Sequence, residues 1–206
     1  MKRHNISSIL QALVFLALAL ALTGCEGGRL GSGGLTPIGN AEEYITAGWE
    51  KFDKGQYSTS INDFNSALER EPSAKQRAEA QMGLGWSYGR RDGIQSGQAY
   101  FEASQDYFAD AKMGLAGCYF SNANREDYFR AIDILERIGL SSVDYCFKPL
   151  HNIGVSNAEA HALIGILYYY TGNEASAQAH LEEAKTNDDR ISTAVDQIYT
   201  QLSDIL

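Results

Sequence analysis

The feature that most limits the fold is a spacing of small, apolar and aromatic residues that occurs four times along the chain. The first occurrence reads Ala41, Tyr44, Gly48, Gly55, Tyr57, Ser60, Phe64, Ala67 and Pro72. Apolar side chains fall three or four residues apart on both sides of Gly55, which is the pattern of two helices joined by a tight turn. Asn40-Ala-Glu-Glu43 offers a cap side chain with an acid three residues on, so the first helix starts there. Gly48 lets the second helix approach closely, and Pro72 closes the unit. The second occurrence begins near Ala78, with Leu84, Gly85, Tyr88, Gly97, Phe101 and Ser104. The third begins near Ala109, with Leu115, Ala116 and Tyr119. After a shift of three residues, absorbed by the turn at 121–127, it continues with Ala131, Leu135 and Ile138. The fourth begins near Ala158, behind a second cap at Ser156 and Glu159, with Ile164, Gly165, Tyr168, Gly172, Ala177, Leu181 and Ala184.

One such copy describes any helical bundle; four at similar offsets resemble the tetratricopeptide repeat (TPR), a helix–turn–helix unit of about 34 residues. The expected units are 41–74, 78–108, 109–138 and 158–187, interrupted at 139–157. A capping helix over 188–206 carries Ile191, Val195, Ile198, Leu202 and Ile205 on one face and covers the last apolar surface. The expected fold is therefore all-α, a TPR-like solenoid. A generic helical bundle is the plain alternative. The resemblance implies a wall that holds another protein chain and does no chemistry.

In TPR proteins the second, fifth, ninth, twelfth and thirteenth residues of the first helix of each unit tend to face the groove. Carried over, those positions give Trp49, Phe52, Met82, Trp86, Met113, Phe120, Ile166, Tyr169 and Tyr170 as the groove, with Gly89, Arg90 and Gly117 among them. Glu42, Glu79, Asp110 and Glu159 stand at the entry end of each helix. Aromatic rings and methionine suit a peptide groove because they offer large, adaptable contact area. The acids favour a basic or amino-terminal partner segment. The Lys and Asn clamp that some family members use to hold a C-terminal carboxylate is not in this pattern. The other reading is that the aromatic stripe is core.

The interruption at 139–157 holds Pro149, two glycines and a mixture of β-branched and aromatic residues, which argues against a long helix. Its apolar content predicts that it packs on the solenoid, with a short helix around Cys146 to Leu150. It reads either as a spacer covering the face between units or as a binding element.

The N-terminus is an address. Lys2 and Arg3 precede an apolar run of 14 residues from Ile9 to Leu22, broken only by Gln11. A membrane span needs roughly 20 apolar residues, so this run reads as a secretory signal over 1–24. It ends in Leu22-Thr23-Gly24-Cys25, which resembles a bacterial lipobox. The resemblance implies a lipidated Cys25 at the mature N-terminus, and two or three acyl chains anchor stably where one does not. Six glycines among the fifteen residues of 26–40 predict a flexible tether. Glu26 after the cysteine, in place of aspartate, leans towards the outer membrane, facing the periplasm. Without Lys2 and Arg3 the chain carries 15 basic and 26 acidic side chains, a net charge of −11. Phosphate repels such a body, so nucleic acid is not an expected partner and the anchor makes the membrane contact.

Cys118 and Cys146 admit two readings, a disulfide formed after export or two free thiols. His151, His161 and His180 lack metal-ligand spacing and read as surface or satisfied helix residues. The chain has no nucleophile–base or phosphate-loop signature, so neither an enzyme nor a cofactor is expected. The sequence reading is a lipid-anchored adaptor that binds protein segments in the cell envelope. The alternative is a structural subunit that assembles through 139–157 and the solenoid edges.

Overall fold

A computed structural model of the chain describes residues 39–187. The signal segment, Cys25, the tether up to residue 38 and the capping helix expected over 188–206 lie outside the described residues. Among the described residues all regular structure is helical, in eight α-helices.

Helix α1 spans Ala41–Asp53, and the Asn40 side chain accepts the Glu43 N–H at 3.0 Å. Gly55 turns the chain at φ +72, a left-handed conformation that costs glycine nothing. Helix α2 follows over Tyr57–Leu68. Helix α3, Ala74–Asp92, begins ahead of Ala78 because Ser73 and Gln76 form a reciprocal capping box. A 3₁₀ turn, Ile94–Gly97, leads into the short α4, Gln98–Ser104. Helices α5, Ala109–Ser121, and α6, Arg125–Leu135, come next, the latter capped by Asn124. A single π-helical turn, Glu136–Leu140, breaks at Gly139 with φ +112. Helix α7, Asn157–Thr171, opens on the Ser156–Glu159 capping box, and α8 spans Glu174–Asn187.

The pairing is that of a solenoid. Helix α2 packs on both α1 and α3, and α4 on both α3 and α5, while α1, α3 and α5 also touch in sequence. Helix α6 packs on α5 and α7, and α8 closes on α7. Glycines set the distances. Phe64 of α2 is fully buried, and a Cβ on Gly48 of α1 would stand 2.6 Å from its ring; one on Gly83 of α3 would stand closer still. Phe101 of α4 repeats this arrangement between Gly85 of α3 and Gly114 of α5. A buried hydroxyl chain ties the same helices together. Ser60 donates to the Gly48 carbonyl at 2.9 Å and lies 2.9 Å from the Ser87 hydroxyl. No helix among the described residues is long and apolar enough to cross a membrane.

Candidate functional site: a wall covered by its own chain

The wall is made by the first helices of successive units. Trp49 of α1 leans on Phe64 and Phe52 edge to face, at centroid distances of 5.2 and 5.4 Å. Trp86 of α3 meets Phe101 in the same way at 5.2 Å. Each tryptophan thus rests on the phenylalanine that spaces its unit. Glu79 and Arg90 of α3 and Asp110 of α5 are polar side chains of this wall that reach the chain described next.

That chain is the protein's own 147–154 segment, which lies against the wall as irregular backbone with bends at Leu150, His151 and Gly154 and a tight turn in which Ile153 N–H donates to the His151 carbonyl at 2.7 Å. Asp110, only 1% exposed, accepts two successive backbone amides, Leu150 N–H at 3.0 Å and His151 N–H at 3.1 Å. The His151 ring stacks on Trp49, with centroids 3.8 Å apart and planes 12° from parallel. Its Nε2 lies 2.9 Å from Glu79 Oε1. Arg90 donates to the Ile153 carbonyl. Trp86 Nε1 donates to the Asp110 carbonyl at 3.2 Å, fixing the backbone behind the carboxylate. Phe147 and Ile153 bury their side chains at the two ends, and Phe147 N–H donates to Asn157 Oδ1 at 2.7 Å. Burial pushes the Asp110 carboxyl above its ordinary value, and the amides of His151 and Leu150 pull it back.

The placement corrects the expectation of an open aromatic groove. Trp49, Phe52, Met82, Trp86, Met113, Phe120 and Ile166 are buried, as the core reading of the stripe requires. Tyr169 and Tyr170 are half-buried, and Tyr170 stacks on Tyr128 of α6 at 5.2 Å. Phe120 meets the same Tyr128 at 5.9 Å. The short helix expected around Cys146 to Leu150 is not formed. Pro149 disfavours helical backbone at Lys148, and the amides of Phe147, Leu150 and His151 are given to side chains instead. Of the two readings of Cys118 and Cys146, the structure has free thiols and no disulfide between them. Cys118 is buried and its Sγ faces the Ile94 carbonyl at 3.2 Å, with burial pushing the thiol up to about 12. Cys146 is exposed. Among the described residues no cluster of three His, Cys, Asp or Glu side chains could hold a metal ion.

His161 and His180 are not surface residues. They are buried, and their Nδ1 atoms lie 2.8 Å apart between α7 and α8. The Tyr145 carbonyl can only accept, so His161 Nε2, 2.8 Å away, carries its proton. His161 Nδ1 then accepts, and His180 Nδ1 donates. Burial first, and the neighbouring His161 second, hold His180 down to about 4. The unfolded chain binds this proton near pH 6.5 and the folded one only near 4. Stability is therefore complete above about 6.5 and is lost as pH falls towards about 4. Between about pH 7.5 and about 5 the expected loss is about 2 kcal/mol, at roughly 1.4 kcal/mol per pH unit of difference. Urea midpoints at the two pH values measure it, and His180→Gln should flatten the dependence. An unchanged slope in that variant would assign the effect elsewhere.

No protein-family model matches the chain, and no curated protein matches it. Among solved structures it is similar to a thermophilic TPR protein of Thermus thermophilus. The identity is 19%, over 79% of this chain and 82% of that one, with a TM-score of 0.55. At that identity the likeness is one of fold, and it agrees with the helix pairs and their glycine-spaced contacts.

Proposed function

We propose that this protein is an envelope adaptor, tethered to a bacterial membrane through lipidated Cys25, that holds segments of other proteins against its solenoid. The observation that carries the reading is the grip of the wall on an irregular stretch of peptide. Main-chain amides go to Asp110, a main-chain carbonyl goes to Arg90 and a side-chain ring goes to Trp49. A TPR-like solenoid is a scaffold for such grips, because stacking its units produces one continuous surface for another chain. The signal-like segment, the Leu22–Cys25 tetrapeptide and the glycine-rich tether support the membrane address. The acidic balance supports a partner segment that is basic or neutral.

The test has two arms. Cys25→Ser should abolish incorporation of labelled fatty acid and move the protein from the membrane to the soluble fraction. Crosslinking in intact cells should join the wild-type protein to a defined envelope protein. A Cys25→Ser variant that stays membrane-bound and lipid-labelled would remove the anchor, and a wild-type protein that crosslinks to nothing would remove the adaptor. The structural-subunit reading keeps one observation in its favour. Leu150 is 61% exposed on the covering segment. If that reading is right, Leu150→Glu breaks a complex that changes in the wall leave intact.

A further inference from the structure

We infer that residues 150–153 occupy a peptide-binding groove in cis, and that the groove's external partner is a bent, irregular segment of the same chemistry. That segment carries an aliphatic residue, then a flat cationic or aromatic side chain, and two positions later a β-branched aliphatic residue. The inference rests on the adaptor reading and adds to it the site, its partner and a built-in competitor.

Three features of the wall support it. First, the grip is directed at backbone as well as side chains. A nearly fully buried carboxylate takes two consecutive amides, and a guanidinium takes the carbonyl three residues on, which a peptide bent as Leu150 and His151 are can satisfy whatever its side chains. Second, the ring pocket is chemically selective. Trp49 supplies a face and Glu79 a carboxylate on the same imidazole, so a flat side chain with a positive or donating edge is preferred. Third, the cis segment leaves the wall incomplete. Trp49 is 6% exposed, yet its Nε1 has no hydrogen-bond partner among the described residues. A buried donor without an acceptor is destabilising. A partner that brings a carbonyl or carboxylate to this position gains an interaction the cis segment does not make. Leu150, meanwhile, leaves most of its side chain in water at 61% exposure. The cis occupant is thus well enough held to fill the groove and poor enough to be exchanged.

Competition of this kind lowers the apparent affinity of any partner by the fraction of molecules with the groove open. The experiment uses a labelled peptide with the sequence of residues 147–155 and the full chain. Wild-type protein should bind it weakly. His151→Ala with Ile153→Ser, which loosens the cis segment and leaves the wall intact, should bind at least about tenfold tighter, the gain expected when a mostly closed groove is opened. Adding Asp110→Ala to that variant should cancel the gain, as should a peptide with aspartate at the His151 position. A loosened variant that keeps wild-type helicity and binds no tighter overturns the inference. If the loosened variant loses helicity, hydrogen exchange of the wild-type protein decides. Leu150 and His151 amides exchanging well before those of α3 uphold it, and exchange only with global unfolding overturns it. Failure here leaves the adaptor reading standing if a crosslinked envelope partner is still held by the loosened variant as by wild type. Failure of the adaptor reading shows instead as the absence of any crosslinked partner.

Discussion

Truncating Phe64 to alanine is expected to remove about 3–5 kcal/mol of stability, the range for deleting a fully buried aromatic side chain. The upper half of that range applies here for a geometric reason. The ring lies between Gly48 of α1 and Gly83 of α3, with Trp49 on its edge at 5.2 Å. Glycines have no side chain that could swing into the vacated space, so the cavity persists unless whole helices move. A domain of this size is stable by about 5–15 kcal/mol in total, so the loss is a large share. The reverse change carries its own cost. Gly83→Ala puts a methyl group into the ring and should cost about 1–3 kcal/mol through overpacking. Denaturant midpoints followed by helicity measure both. A Phe64→Ala loss below about 1 kcal/mol, well under the range for a buried aromatic, would mean that the helices close over the gap and that glycine spacing does not set their distance.

The same contact explains why the fold class was legible. Gly48 and Phe64 are sixteen residues apart, as are Gly85 and Phe101, and Gly165 and Leu181. A spacing that short lies within one helix pair, so local periodicity carries it. The covered wall was not legible, because its pairs are remote. Asp110 meets Leu150 and His151 at separations of 40 and 41 residues, and Glu79 meets His151 at 72. Residue type does not resolve this either. Trp49 packs on Phe64 as core and on His151 as a wall, and the sequence pattern around it is the same for both roles. The acids at the second positions of the expected units, Glu79 and Asp110, were the usable signal. They pointed to a basic or amino-terminal partner segment; what meets them in the structure is the chain's own His151 ring and the amides of Leu150 and His151. The pairing of His161 with His180 escaped for a related reason. They sit on different helices, nineteen residues apart, and only the close packing of α7 on α8 joins them.

Asp110→Ala should then cost about 2–4 kcal/mol and release the segment. The carboxylate accepts both consecutive amides of the segment in part-buried hydrogen bonds, and each bond to a charged group contributes about 1.5–3 kcal/mol. Part of that is returned, because a charge is no longer held out of water, which is what the upward push on its carboxyl reflects. Asp110→Asn separates the two contributions. It keeps one oxygen as acceptor but turns an amide donor towards the second N–H, so it should cost nearly as much while carrying no charge. Both variants should free the Leu150 and His151 amides to exchange early and, with His151 no longer pinned, alter Trp49 fluorescence. Phe64→Ala loosens α1, α2 and α3 together, whereas Asp110→Ala should leave helicity and the α1–α2 pairing intact. If Asp110→Ala instead lowers stability without speeding exchange at those two amides, the carboxylate supports α5 alone, and the segment is held by Phe147 and Ile153 as ordinary core.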